Sequence, residues 1–277
     1  DSFKGSMSSV DVAQAAEKGI HEVMPDCQVV AVNVADGGEG TVEAIVEALG
    51  GEIVKAEVCD PLGRKIEASY GIAGDTAIIE MAAASGLPLL KPEERNPWLT
   101  STYGTGEMIM DAISRGCRKF LVGIGGSATN DAGTGMLQAM GFRFYDVNGE
   151  MIDHCAGGRM AEIARIDDSY VPAEVRQAVF TVACDVDTPF CGPEGAAPVF
   201  APQKGADVDM VSLLDDGMAS FARVIEKKYA VNVVSVAGFV IGKLYIIVAS
   251  GSSDVTVINN SSSASSPMKA VAFKPAK

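Results

Sequence analysis

The chain has 277 residues, 48% of them hydrophobic and 21% charged, and carries a net charge of −14 at neutral pH. That length predicts about two domains, and that composition predicts a globular protein with a sizeable core. The acidic balance argues against functions that need a cationic face, nucleic-acid binding and docking on anionic membranes, and no 18-residue apolar run suggests a membrane span.

Six cysteines (27, 59, 117, 155, 184 and 191) show no CxxC or metal-ligand spacing, and there are only two histidines, His21 and His154. A zinc site is therefore not expected. Reduced cysteines in a cytoplasmic protein are expected, and no signal peptide is visible.

After the opening DSFKGS (1–6), Val12, Ala16, Ile20 and Val23 recur at helical spacing, with Ser8 or Ser9 as N-cap and Pro25 as the stop. VVAVNV (29–34) predicts a buried strand that delivers Asp36 to a glycine turn, and Thr41 opens a second helix with glycine at its C-terminal end. From Glu52, the runs EIVKAEVCD, KIEASYGI and TAIIEM predict antiparallel strands, with turns at Pro61-Leu62-Gly63 and Gly74-Asp75. Residues 82–100 are loop-like. A helix follows GTGE (104–107) through Met108, Ile109, Ala112 and Ile113. Next come a strand over 119–126, a helix over 133–141, a strand over 142–146 and another strand within 176–185. Residues 208–228 form an amphipathic helix through Met210, Leu213, Leu214, Met218, Phe221 and Ile225. After Tyr229 the composition changes: residues 1–229 carry a net −17 and residues 230–277 a net +3, with a serine-rich stretch at 261–266. No catalytic residue is assigned to that tail.

Five short glycine-and-hydroxyl loops flanked by carboxylates punctuate the first 205 residues: DSFKGS, ADGGEGT (35–41), STYGTGE (101–107), GIGGSATNDAGTG (123–135) and ACDVDTPFCGPEG (183–195). Where a strand precedes such a loop, an open α/β sheet places its ligand. Backbone N–H groups at these turns hold anions, and glycine admits a ligand close to the main chain. The candidate binding residues are Asp36, Gly37 and Gly38; Gly104, Thr105 and Gly106; and Gly125, Gly126, Ser127, Thr129, Asn130 and Asp131. For the last group a capped turn, with Asp131 or Thr134 capping the next helix, is the alternative. Asp185 and Asp187, two apart in extended chain, point the same way and suit a metal, a proton transfer or an aspartate turn before Pro189. Lys4 and Lys204 each precede glycine, where a lysine either meets phosphate or carboxylate or stays solvated.

No P-loop, protein-kinase motif or nucleophile elbow is present. GIGGSA fits G-x-G-x-x-A after a strand, with Asp146 at the distance of a ribose contact, so a nicotinamide-dependent oxidoreductase is one alternative. A catalytically inactive small-ligand-binding protein is another.

The stretches DSFKGS, VADGGEGTVEA, DPLGR, IEMAAASGL, ERNP, TYGTGE, GIGGSATNDAGTGMLQA, ACDVDTPFCGPEGAA and FAPQKGA occur in that order over residues 1–229. In this series the chain resembles the bacterial glycerate kinase family, small-molecule kinases distinct from the P-loop and protein kinases. The resemblance implies ATP-dependent phosphorylation of D-glycerate at its 2- or 3-position, with Mg2+. It implies an α/β fold of two domains, one Rossmann- or flavodoxin-like and discontinuous, the other an inserted mixed α/β domain. The expected divisions are 1–59, 60–229 and a tail, 230–277, holding remnants of the inserted domain and the return to the first. On this resemblance Asp185, Asp187 and Lys4 form the catalytic set. Asp185 is the base, Asp187 or Asp36 holds magnesium, and Lys4 neutralises charge from the opposite domain. The GGSATND and GTGE loops and Lys204 bind phosphate or carboxylate. Oligomeric state is left open. The sequence departs from the family at both ends, where the strand preceding DSFKGS is absent and SDVTVINNSSS stands in place of a segment resembling ITGEGRID.

Overall fold

The computed structural model describes residues 9–29, 40–183, 188–230, 232–234 and 256–258. In chain order, helices α1 (Ser9–Val23) and α2 (Thr41–Leu49) come first, α2 ending on Gly50 in the left-handed region (φ 67°). Strands β1 (Glu52–Cys59), β2 (Lys65–Ala73) and β3 (Thr76–Glu80) follow, then α3 (Ala82–Ser85) and α4 (Tyr103–Ser114). Next are β4 (Lys119–Gly123), α5 (Thr134–Ala139), β5 (Arg143–Tyr145), β6 (Arg165–Asp167), α6 (Ala173–Gln177) and β7 (Val179–Ala183). Helices α7 (Ala196–Phe200) and α8 (Val208–Tyr229) and strand β8 (Thr256–Ile258) complete the set. The expected strand over 29–34 lies outside the described residues except for Val29.

Six strands form one mixed sheet in the order β1-β2-β3-β4-β7-β8, and β5 pairs with β6 in a separate antiparallel ribbon. The first three strands are antiparallel, as the turn residues predict, and Gly74 makes the second turn with φ 61°. From β3 onward all pairs are parallel. The expected division at 59/60 falls in the tight turn of the β1–β2 hairpin, whose register runs unbroken from Glu52↔Ile72 to Cys59↔Lys65.

Alternation of side chains along a strand explains the layering. On β3, Ala77 and Ile79 enter the main core with Tyr70, Met108, Ile109 and Phe120, whereas Ile78 faces the other way, onto Val42 and Val46 of α2. The strand is thus buried on both faces, which is why TAIIE reads as a continuous apolar run. Phe120 and Phe180 stack side by side on β4 and β7, with centroids 4.7 Å apart. Helix α8 closes the core with Leu214, Met218, Phe221 and Ile225 buried along one stripe, and Asp207 caps it by accepting the Met210 N–H (2.8 Å). Among the described residues no helix is long and apolar enough to cross a membrane.

Two local differences from the sequence expectations matter below. The strand expected over 119–126 ends at Gly123, because Gly126 turns left-handed (φ 70°) and the chain leaves the sheet. Helix α4 begins at Tyr103, so GTGE forms its first turns instead of preceding it. Gly104 and Gly106 are both buried there. A Cβ on Gly104 would collide with the Cys59 carbonyl, and one on Gly106 would collide with the Met136 carbonyl and come within 2.7 Å of the Ala139 side chain. Glycine here lets α4 lie directly against the end of β1 and against α5. Glu107 ties the same corner by accepting the Cys59 N–H (2.5 Å) and pairing with Lys65 (2.8 Å).

Gly104→Ala is expected to lower unfolding free energy by about 3 kcal/mol, the scale of forced overpacking against backbone. Urea denaturation monitored by circular dichroism checks this, and a loss below about 0.5 kcal/mol would contradict the close packing.

Candidate anion-binding site

The carboxyl ends of the parallel strands lie in register, with Glu80 beside Gly123 and Gly123 beside Ala183. Three connections therefore leave the sheet at one edge, the position where open α/β sheets bind ligands. The N-terminus of α2 reaches the same edge, since Glu80 Oε1 accepts the Val42 N–H (3.0 Å). The best described of these connections is the loop 124–133 after β4.

That loop is pinned along its length. Residues 85–87 bridge to it, through Leu87 N–H to the Gly126 carbonyl (2.9 Å) and Ala128 N–H to the Ser85 carbonyl (2.8 Å). The Thr100 hydroxyl donates to the Ala128 carbonyl (2.9 Å). Lys204, 5% exposed, donates to Ser127 Oγ (2.7 Å) and to the Thr129 carbonyl (2.6 Å). Ala132 is held at φ 47°, a left-handed conformation uncommon without glycine, followed by Gly133 at φ 73°. Backbone strain of this kind collects at functional loops.

Asp131 is the anchor. Its Oδ2 accepts from the Thr102 N–H (2.8 Å), the Thr102 hydroxyl (2.8 Å) and the Gly135 N–H (3.2 Å), and its Oδ1 accepts from the Gly133 N–H (3.1 Å). Thr102 Oγ1 in turn accepts from Met136 N–H (2.9 Å). Gly135 is required beneath, because a Cβ there would run into Ser101 Oγ. Burial pushes the Asp131 carboxyl above its ordinary range, and the donors from Thr102, Gly133 and Gly135 pull against that. The carboxylate is saturated by this chain's own donors, so the capped-turn alternative describes its observed contacts.

Lys204 is a buried cation. Removal from water pushes its ammonium down to about 8, a shift that the nearby Asp131 charge opposes. It makes no salt bridge among the described residues. Its charge therefore lies behind a loop whose outer residues Gly125 and Gly126 are exposed, with N–H groups that bond no described residue. Exposed backbone donors beside a buried cation with no ion pair among the described residues favour an oxyanion.

A brace supports this corner from the hairpin turn. Asp60, 3% exposed, accepts from the Leu62 and Arg64 N–H groups (both 2.9 Å) and pairs with Arg64 Nε (2.5 Å). Arg64 then pairs with Glu94 (2.8 Å). Next in the chain is Arg95, whose Nε is buried without a partner among the described residues and whose backbone packs against Gly205. Sequence reasoning noted ERNP only as a family stretch and missed Arg95. The only signal for it was an arginine beside a proline-bounded turn. Asn130 is buried, its amide donating to Met218 Sδ (3.4 Å) and its Oδ1 unpartnered among the described residues.

The structure thus brings Gly125, Gly126, Ser127, Thr129, Asn130, Asp131 and Lys204 together. Gly104, Thr105 and Gly106 are buried within α4, and the Thr105 hydroxyl contacts Ser85 Oγ (2.7 Å). Lys4, Asp36, Gly37, Gly38, Asp185 and Asp187 lie outside the described residues. Among the described residues no group of three or more His, Cys, Asp and Glu side chains could hold a metal ion.

The nicotinamide alternative meets the wrong geometry. No helix opens on GIGGSA; α5 starts at Thr134. Asp146 follows β5, outside the main sheet, and its carboxylate accepts the Asn148 (2.9 Å) and Glu150 (2.8 Å) N–H groups of its own turn.

Two outcomes follow. Asp131→Asn presents an amide nitrogen to buried donors and is expected to cost about 1–3 kcal/mol for each donor left unmatched, measured by urea unfolding. For Lys204, the folded chain binds fewer protons than the unfolded chain between about pH 8 and 10.5, so wild-type stability gains with rising pH in that window. The stability difference between wild type and Lys204→Met should therefore rise across it, by at most about 1.4 kcal/mol per pH unit. A flat difference would contradict burial of the ammonium.

Comparison with known proteins matches residues 1–242 to the glycerate kinase family. A glycerate kinase from Halalkalibacterium halodurans is 49% identical over 240 residues, covering 86% of this chain and 63% of that protein. A glycerate 2-kinase from Escherichia coli K12 is also 49% identical over 240 residues, with the same coverage. The chain thus spans somewhat less than two thirds of the length of these relatives. The crystal structure of a protein assigned as glycerate kinase 2 from Salmonella typhimurium LT2 superposes with a TM-score of 0.82 at 42% identity, over 94% of this chain and 70% of that one.

Proposed function

The chain belongs to the glycerate kinase family, and on that premise we propose that it transfers the terminal phosphoryl group of ATP to a hydroxyl of D-glycerate, giving a phosphoglycerate and ADP. The E. coli relative's name, glycerate 2-kinase, favours the 2-hydroxyl. One observation carries the proposal into this structure: the loop after β4 carries backbone donors that bond no described residue, beside the buried Lys204 ammonium at the carboxyl edge of the sheet. Both substrates are anions, and a protein of net charge −14 must meet them with local positive potential.

Phosphoryl transfer asks for positioning and charge neutralisation more than for covalent chemistry. In the proposed arrangement Gly125, Gly126 and Ser127 hold an oxyanion of one substrate. Thr129, Asn130 and Asp131 fix the loop that carries them, and Gly104, Thr105 and Gly106 seat the helix that Asp131 binds. Asp185, two residues beyond the end of β7, takes the proton from the attacking glycerate hydroxyl. Lys4 offsets charge on the transferred group from the opposite domain, while closure of the two domains around the substrates excludes water. Asp36 and Asp187 supply the oxygen ligands that a hard cation prefers, and Gly37 and Gly38 join the substrate-binding set. Magnesium bound there would offset phosphate charge.

The test is release of ADP in the presence of D-glycerate and magnesium, with the product position assigned by phosphorus NMR. Asp185→Asn is expected to lower kcat by about 10²–10⁴, the usual contribution of a general base. A loss under about tenfold would remove Asp185 from that role. Absence of ADP release from the folded wild-type chain would favour a ligand-binding protein without turnover.

A further inference from the structure

Lysine next to a substrate loop is commonly read as a direct anion contact, but Lys204 is turned inward. It is buried, and its ammonium lies 2.7 Å from Ser127 Oγ and 2.6 Å from the Thr129 carbonyl. A protonated lysine has only donors to give, while a serine hydroxyl has one donor and two acceptor positions. In this pair Ser127 must therefore accept. Its proton is not used by any described residue, and Ser127 itself is half-buried at the outer part of the loop.

We propose that Lys204 is a positioning residue that acts through Ser127: by filling an acceptor site of the hydroxyl and fixing the loop at Thr129, it commits the Ser127 O–H to donate outward, to a substrate oxyanion. This deepens the proposed kinase function and rests on the loop being a substrate site. The oxyanion is a carboxylate or a phosphate, which are the same chemistry to a hydroxyl donor. The burial of Lys204 gives the arrangement its strength, since a hydrogen bond polarised by a cation in a low dielectric makes the accepting hydroxyl a better donor in turn. The lysine also sits on the short segment 202–204, after α7, so its two hydrogen bonds join the segment following β7 to the loop following β4.

The experiment is a double-mutant cycle in the full chain with Ser127→Ala and Lys204→Met, reading kcat and the KM for D-glycerate and for ATP separately, after thermal melts confirm folding. Ser127→Ala is expected to raise one of the two KM values about tenfold or more, the scale of a hydrogen bond to a charged group, with kcat changed less than about threefold. The glycerate arm identifies a carboxylate contact and the ATP arm a phosphate contact. Lys204→Met is expected to raise the same KM, and its effect is expected to shrink to under about threefold in the Ser127→Ala background. If Lys204→Met does not fold, Lys204→Gln takes its place in the cycle, because its amide keeps a donor. Multiplying effects, or a Lys204 substitution that moves only the other substrate's KM or only kcat, would overturn the positioning role while leaving the loop as a site. Ser127→Ala with both KM values unchanged would overturn the loop assignment and the positioning role together.

Discussion

The carboxylate of Asp131 is the interaction on which this architecture depends. Four donors converge on its two oxygens from both sides of the loop after β4: the Thr102 backbone and hydroxyl at the start of α4, and the Gly133 and Gly135 backbone at the start of α5. A buried carboxylate is expensive unless it is satisfied, and here three backbone N–H groups at helix starts and one threonine hydroxyl satisfy it. The constraint spreads from there. Gly135 and Gly106 must stay small so that α5 can approach Ser101 and α4, and Ala132 is held left-handed in the link.

This anchoring divides labour along one loop. Its C-terminal half, from Asn130 to Met136, is built into the core, whereas its N-terminal half, Gly125 to Ser127, remains at the surface over the Lys204 ammonium. The first half provides rigidity and the second a face for chemistry. Lys204 belongs to both. It is buried among the anchoring groups, and it donates to the hydroxyl of half-buried Ser127.

Much of this was legible in the sequence. The antiparallel strands of the first hairpins follow from alternation and turn residues, the apolar stripe of α8 follows from periodicity, and GIGGSATNDAGTG announced a loop between strand and helix. Less legible was the distinction between glycines that admit a ligand and glycines that admit a neighbouring backbone. GTGE and GIGG look alike as strings, yet Gly104 and Gly106 are pressed between β1 and α5, while Gly125 and Gly126 are exposed. Only the tertiary neighbours decide. Lys204 reads in the sequence as either a direct anion contact or a solvated charge because burial of a lysine leaves no local trace; its partners lie 75 and 77 residues earlier in the chain. Arg95 escaped notice for the same reason, since its backbone packs against the distant Gly205.

The way the first N–H groups of α5 are used has a further consequence for how the protein can change. Gly133, Thr134, Gly135 and Met136 all donate internally, to Asp131 or to Thr102. The dipole end of that helix is sealed, and a guest molecule cannot borrow it. Any retuning of preference toward a bulkier or differently charged acid would have to be written into the three residues before Ala128, which are less buried than the saturated stretch beyond them. Even there the freedom is uneven, because Gly126 is left-handed at φ 70° and strained by any side chain, and Ser127 is tied to Lys204.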